Sequence, residues 1–412
     1  MKENYDLIII GAGAAGIMAA ISAAREHKEV LLLEKLPRIA AKLKATGGGR
    51  CNLTNTLSNE AFMERFGRNG RFMQDALKMF DHKALVAFFS SIGVATHAPD
   101  GYRIFPTSHS SQTIIDALSR EIEHLGITLL SHQKATEILA EEGQIKGVRT
   151  LERTFYAPNV ILASGGLGYP MLGAEGDGYT MASALGHAIT PLYPAMMPLR
   201  TKETWVQNCR ADTIAKAELR VAMPKHKKLH AIGDLIFTAN GIRGPVVLDF
   251  AREITPLLEQ YGEVPILINC TKGMDENKIL THLKTHAAKM PHAKVGELLA
   301  TLLPQPLSRE ICTLSGTNPE ENWSKLSGLQ KDTLVKNLAW TPLTIVGHEG
   351  FKSAMITRGG VSLKEIDPKT MQSKLVKGLY FCGEVMDIDG PCGGYNLQWS
   401  FSSGALAGKL LR

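Results

Sequence analysis

No Cys-x-x-Cys pair occurs in this chain of 412 residues, although it holds six cysteines: Cys51, Cys209, Cys270, Cys312, Cys382 and Cys392. Without such pairs neither a zinc framework nor a disulfide ladder is legible, and a reducing cytoplasm is the expected setting. His226 and His230, and His282 and His286, have the i,i+4 spacing of ligand pairs. Neither pair has the glutamate of a His-Glu-x-x-His motif or a third ligand nearby, so no metal is expected and solvated surface is the reading. No clean membrane or secretory segment is present either. Residues 7–24 are apolar, but Gly11, Gly13 and Gly16 interrupt them. Glu3 and Asp6 precede them, and Arg25-Glu26-His27-Lys28-Glu29 follows at once. Charge of one sign is scarce. The net value of +6 is a slight pull towards phosphate or RNA and no strong footprint. No repeat of fixed period is visible.

What is abundant is glycine, at 39 residues, in clusters that mark places where backbone must lie close to something. With 44% hydrophobic residues the chain can build a core, and its length suits two or three domains. Residues 5–10, 14–26 and 29–34 read as strand, helix and strand, a β-α-β unit. Helical periodicity follows over 72–93 and 111–125. Strands are expected at 134–140, 145–155, 159–163 and 378–383, and a closing helix at 396–411. Pro191, Pro194 and Pro198 mark a change of texture. The expected architecture is therefore discontinuous. Residues 1–195 and 341–412 form an α/β domain, interrupted by an insert over 196–340 that is β-rich at 196–270 and about 320–340 and helical at 271–319.

Four glycine clusters carry the chemistry. Gly11-x-Gly13-x-x-Gly16 lies between a strand and a helix. Its glycines suit, in turn, a tight turn, the approach of a pyrophosphate to the backbone, and close packing of helix on strand. Ala14 and Ala15 open the helix whose N-terminal N–H groups would face the phosphates. Glu34, 18 residues after Gly16, suits ribose hydroxyls and disfavours a 2′-phosphate. The bland alternative is a turn with no ligand. Gly47-Gly48-Gly49-Arg50-Cys51-Asn52 is the second cluster, with Arg50 placed to meet a phosphate or a flavin oxygen. A plain flexible loop is its alternative, and Cys51 is either a redox or acid group or a small buried filler. The third runs from Gly383-Glu384 through Asp387 to Gly393-Gly394-Tyr395-Asn396-Leu397. It puts open backbone at the start of the last helix, where N–H groups can hold the electron-rich edge of a flavin, with Asp387 suited to ribityl hydroxyls. The fourth begins at Ala163-Ser164-Gly165 and includes Tyr169, which is either a substrate-side group or a packing residue. Lys35, Lys42 and Ala135 complete the expected cofactor contacts.

In order, IIGAGAAGIMAA, TGGGRCNLTN, YRIFPTS, ASGG with GDGY, GIRGP, TRGGV and GLYFCGEVMDIDGPCGGYNLQWSFSSG resemble the BaiN-like bacterial NAD(P)/FAD-dependent oxidoreductases. The resemblance implies a glutathione-reductase-like, Rossmann-type FAD domain with an inserted β-barrel-like and helical domain. It implies bound FAD and reduction of a C=C bond, with substrates that differ among members, from uridine in large-subunit ribosomal RNA to steroid-like enones. Two departures bear on substrate rather than on FAD. Ala239 stands where a histidine is usual, and Gly168 where a serine is usual before Tyr169-Pro170. The expected chemistry is hydride delivery from flavin N5 and a proton from Cys51, Tyr169, Cys392 or Tyr395. Only one dinucleotide fingerprint is present, so NAD(P)H or a protein donor is expected to dock transiently. The leading reading is an RNA-modifying reductase that makes dihydrouridine in large-subunit ribosomal RNA; its rivals are a small-molecule enone reductase and a flavin-holding RNA-binding regulator without turnover.

Overall fold

The computed structural model describes residues 2–410. The chain divides into two units, Met1–Pro194 with Met355–Arg412, and Ala195–Ala354.

The first unit is built on five parallel strands in the spatial order Leu379–Phe381, Val160–Leu162, Leu7–Ile10, Val30–Leu33, Thr128–Leu130. Their near-continuous apolar sequences suit a parallel sheet covered on both faces, and the residues of the central strands are buried. One outer strand comes from the last tenth of the chain, so the domain cannot close until the C-terminal part returns to it. The helix Ala14–Arg25 then meets the last helix, Tyr395–Gly408, almost backbone to backbone. A Cβ on Gly404 would stand 2.3 Å from the carbonyl oxygen of Ala15, and one on Gly408 the same 2.3 Å from that of Ala19. The Ser22 hydroxyl donates to the carbonyl of Ala405 at 2.8 Å.

The periodic stretch 72–93 is two helices, Gln74–Met79 and His82–Ser91. Asp81 caps the second by accepting from Ala84 N–H, and the carbonyl left over at Phe80 is taken by Gln398 Nε2 at 3.0 Å and Ser402 Oγ at 2.6 Å. Residues 135–156 form the expected small antiparallel sheet. The closing helix ends at Gly408, and position 411 lies outside the described residues.

The second unit contains a closed six-stranded barrel in the order Leu199–Thr201, Gly241–Arg243, His230–Phe237, Thr213–Val221, Val264–Asn269, Thr341–His348. Two expectations need correction here. The insert does not stop at 340, because Thr341–His348 pairs with both Val264–Asn269 and Leu199–Thr201 and is the strand that closes the barrel. The segment 320–340 is not β-rich. It holds a short 3-10 turn and the helix Gly328–Ala339, started by a capping box between Ser327 and Gln330. The helix Pro245–Tyr261 inside the supposedly β-rich part was also missed, although Val247, Phe250, Ala251, Ile254 and Leu258 carry helical spacing and are all buried.

His187 lies buried in the first unit, its Nε2 bonded to the Ser373 hydroxyl at 2.8 Å and its ring against Phe381. Burial holds its pKa below the ordinary imidazole value. The unfolded chain takes up this proton near pH ~6.5 and the folded chain resists it. The corresponding stability is thus complete above that pH and declines as pH falls towards the folded pKa. His187→Gln, which keeps a partner for Ser373, is expected to flatten the fall of Tm between about pH 7 and 5. An unchanged slope in thermal melts would contradict this.

Candidate functional site

The first strand ends at Ile10, and Gly11 turns with φ 103, its N–H bonded to Leu33 O at 2.8 Å. A Cβ on Gly16 would lie 1.9 Å from Gly11 O, so only glycine allows the helix this close to the turn. Gly13 differs. Its φ of −84 and ψ of −174 are open to any residue, and a Cβ there would meet nothing within 4 Å. Neither strain nor crowding within the protein requires glycine at 13, whereas a ligand lying against the main chain does. No side chain caps this helix, so its first N–H groups face that same space. This is the fit expected of a pyrophosphate.

Glu34 stands at the end of the second strand and accepts from Ala12 N–H at 3.0 Å and Leu36 N–H at 2.8 Å, which fixes its carboxylate beside the glycine turn. Its carbonyl accepts from Gln133 N–H, and Ala135 begins a strand two residues further on. Lys35 turns away to Glu175 and Asp177, where Lys134 also pairs. Lys35, expected as a cofactor contact, is held in an ion-pair network beside Glu34, in which the two lysines hold the Glu175 carboxyl below its ordinary range.

The glycine-rich turn Gly47–Gly49 runs through left-handed backbone, with φ of 58, 66 and 85. Arg50 is exposed, donates from Nε to Gly47 O at 3.2 Å and lies over Phe105. Asn52 is half-buried, with its N–H under Gly47. The chain then passes under the last glycine pair. A Cβ on Gly394 would stand 2.6 Å from the Thr54 carbonyl, and Asn55 Nδ2 donates to Gly393 O at 3.0 Å. Lys42 likewise reaches Glu384 at 2.6 Å, across 342 positions of sequence, and Glu384 also accepts from Thr357 N–H at 2.8 Å. Gly383 packs on Ala15 and donates to Ser403 Oγ at 2.9 Å. Ala163 N–H bonds to Ile10 O, which brings Ala163, Ser164 and Gly165 to the Gly11 turn. Ser164 Oγ is buried there without a protein partner.

Equal spacing of the two helix contacts, Ala15 to Gly404 and Ala19 to Gly408, makes the first and last helices run parallel. Gly13 falls level with Ser402, so Gly394 lies eight residues ahead, roughly 12 Å at ~1.5 Å per residue. Two helix N-termini therefore face the same way in staggered steps. That suits a long ligand anchored at its pyrophosphate by the first and at its ring by the second.

The expected proton donors divide. Cys51 is fully buried with φ 60, and burial pushes its thiol up to about 12, which fits the filler reading and not an acid group. Cys392 is exposed. Tyr169 is half-buried with a left-handed φ of 59, and burial raises its hydroxyl. Tyr395 is buried against Phe62 and Phe66, and its hydroxyl is hydrogen-bonded to that of Tyr102. Tyr102 was missed. Its only signal lay in the YRIFPTS block, and nothing local links it to a residue 293 positions away. Asn396, expected as a cofactor contact, uses both ends of its amide on Gly390, accepting at 2.7 Å and donating at 2.9 Å, and so fixes the preceding loop. Leu397 is half-buried behind it. Burial and the charge of Asp389 raise the carboxyl of Asp387, whose backbone is anchored to Val361 and Asn69. Among the described residues no group of three or more metal-type ligands occurs, and no helix is long and apolar enough to cross a membrane.

A Rossmann-type unit with its glycine turns and two staggered helix ends on one extended line defines an FAD-dependent oxidoreductase. The chain belongs to the HI0933-like Rossmann family, whose model matches residues 5–410. It is 32% identical over 404 residues to a 3-dehydro-bile acid delta(4,6)-reductase of Clostridium scindens, covering 97% of each chain. It is 29% identical to ribosomal RNA dihydrouridine synthase of Haemophilus influenzae, covering 98% of this chain and 97% of that one. In fold it is similar to the 3-ketosteroid delta1-dehydrogenase of Sterolibacterium denitrificans, with a TM-score of 0.53, 11% identity and 99% of each chain covered.

Substitutions at Gly13 and Gly16 are expected to separate FAD binding from stability. Gly13→Val is expected to keep the wild-type Tm in the flavin-free state and lose FAD, because its side chain meets only the ligand. Gly16→Val is expected to lower the flavin-free Tm, since overpacking there costs on the order of 1–3 kcal/mol. Flavin absorbance retained by Gly13→Val would contradict the assignment.

Proposed function

We propose that this chain reduces the C5=C6 bond of a uridine in large-subunit ribosomal RNA to give dihydrouridine. The observation that carries the reduction is the pair of hydroxyls on Tyr102 and Tyr395 beside Gly393 and Gly394. It puts a proton source at the start of the last helix, beside the Gly393–Gly394 turn. FAD held there would supply the hydride. A uracil ring reduced at one carbon of a bond conjugated to its carbonyl needs a proton at the other. Tyr395 is the residue we assign to give it, with Tyr102, half-exposed, returning the proton from solvent. Glu34, the first helix and the Gly47–Gly49 turn orient the nucleotide, and the packed rings of Phe62 and Phe66 exclude water behind Tyr395. A uridine in a folded RNA must be unstacked to reach such a site.

The RNA reading is supported by relatives named for that activity, in Haemophilus influenzae and in Escherichia coli, matched over nearly their whole length. The reductase of Clostridium scindens favours a second reading, a small enone as substrate. The electron donor in both is NAD(P)H or a reduced protein that docks transiently. A cytoplasmic setting is supported by six cysteines without a disulfide.

Ribosomal RNA from a strain lacking this chain, digested and analysed by mass spectrometry, is expected to lack one dihydrouridine that the parent contains. Identical dihydrouridine content sinks the RNA reading and leaves the enone. With either substrate, Tyr395→Phe is expected to slow reoxidation of the reduced protein by ~10²–10⁴-fold without altering the flavin spectrum, and Tyr102→Phe by less. Equal rates in Tyr395→Phe and wild type would remove Tyr395 from the mechanism.

A further inference from the structure

We propose that the tip of the barrel hairpin formed by Thr213–Val221 and His230–Phe237 is an anchoring surface for the phosphate backbone of RNA. This rests on the reading of RNA as substrate and adds the element of the insert that grips it. The connection, residues 222–229, holds Lys225, Lys227 and Lys228, all exposed, and among the described residues none of the three has a carboxylate partner. His226 and His230 lie in the same stretch.

The tip is a built turn rather than a loose one. Pro224 opens a 3-10 turn over Pro224–His226. His226 N–H bonds to Met223 O, Leu229 N–H to His226 O, Val221 N–H to Leu229 O and Ala222 N–H to Pro265 O, at 2.8–3.0 Å. The lysines are thus held on a short, hydrogen-bonded ridge, where ammonium groups within a Debye length of ~8 Å repel one another. A bound anion relieves that repulsion.

Two aromatic contacts flank the ridge. Tyr261 is 39% exposed and its ring centroid lies 5.8 Å from that of His226, which sets a partly exposed aromatic ring beside the cations. On the strand leading to the tip, the guanidinium of Arg220 lies 3.5 Å over the Trp340 ring. The carboxylate of Glu263, next to the end of the helix that carries Tyr261, is already paired with Lys202 at 3.1 Å. Cations in a row with an exposed ring beside them match a nucleic-acid strand, whose charge repeats and whose bases stack, better than an acidic protein surface.

The test uses the full-length flavin-loaded protein and protein-free large-subunit ribosomal RNA made by transcription. Binding is measured by filter retention over a series of salt concentrations. Counterion release contributes ~0.7–0.9 to the log–log salt slope per phosphate neutralised. Lys225→Glu/Lys227→Glu/Lys228→Glu is therefore expected to lower the slope by about 2 and the affinity at moderate salt by at least ~10-fold. The triple arginine variant is expected to bind as the wild type does, and the flavin spectrum and Tm of both variants should match it. Wild-type affinity and slope in the triple glutamate variant overturn the assignment of the tip alone. A wild type that binds no RNA overturns both the tip and the RNA reading, and loss of binding only to vesicles of anionic lipid, with RNA binding unchanged, shows a membrane surface instead.

Discussion

The contact between the first and last helices is what the rest of the cofactor domain depends on. Gly404 and Gly408 remove the side chains that would hold the helices apart, and the carbonyls of Ala15 and Ala19 occupy the space. Because both contacts have the same offset, the helices are parallel and their N-termini staggered. Each end brings N–H groups and the positive end of a helix dipole. One end alone is an anion site. Two, stepped along one line, select a ligand with a phosphate at one place and an electron-rich ring further on.

The same contact explains why the domain is discontinuous. The final strand and helix supply one side of the sheet and one end of the ligand line, while the first 194 residues supply the rest. Bridges across the break reinforce it: Lys42 with Glu384, Asn55 with Gly393, and the carbonyl of Phe80 with Gln398 and Ser402. Each joins a residue in the first hundred to one beyond 380. The buried polar partners cost desolvation that only a completed set of hydrogen bonds offsets. The architecture is therefore one in which folding and assembly of the cofactor line are the same event.

Much of this was legible in the chain itself. Glycine turns, apolar strand runs and a carboxylate at the second strand end have local signatures, so the nucleotide half of the site and the interrupted domain could be read directly. What could not be read depends on distant partners. Strand texture returns after about 340, but that Thr341–His348 belongs to the barrel and not to the first domain shows only once Val264–Asn269 and Leu199–Thr201 lie beside it. Tyr102 gains meaning only through Tyr395. The side chains of Asn396 and Lys35, expected as cofactor contacts by position, also hold the loop at Gly390 and the acidic pair Glu175 and Asp177, partners that no local signal marks. Helix Pro245–Tyr261 is the exception: its periodicity was present and was masked by the short strand-like pieces around it.

The stagger of the two helix ends is tested most directly by comparing how the flavin-free protein binds FAD, riboflavin and ADP in calorimetric titrations. FAD is expected to bind far more tightly than either fragment, because only FAD of the three carries both a pyrophosphate for the helix end at Gly13 and a flavin ring for the one at Gly394. Equal affinity for FAD and riboflavin, or for FAD and ADP, would show that one of the two helix ends takes no part and would contradict the stagger.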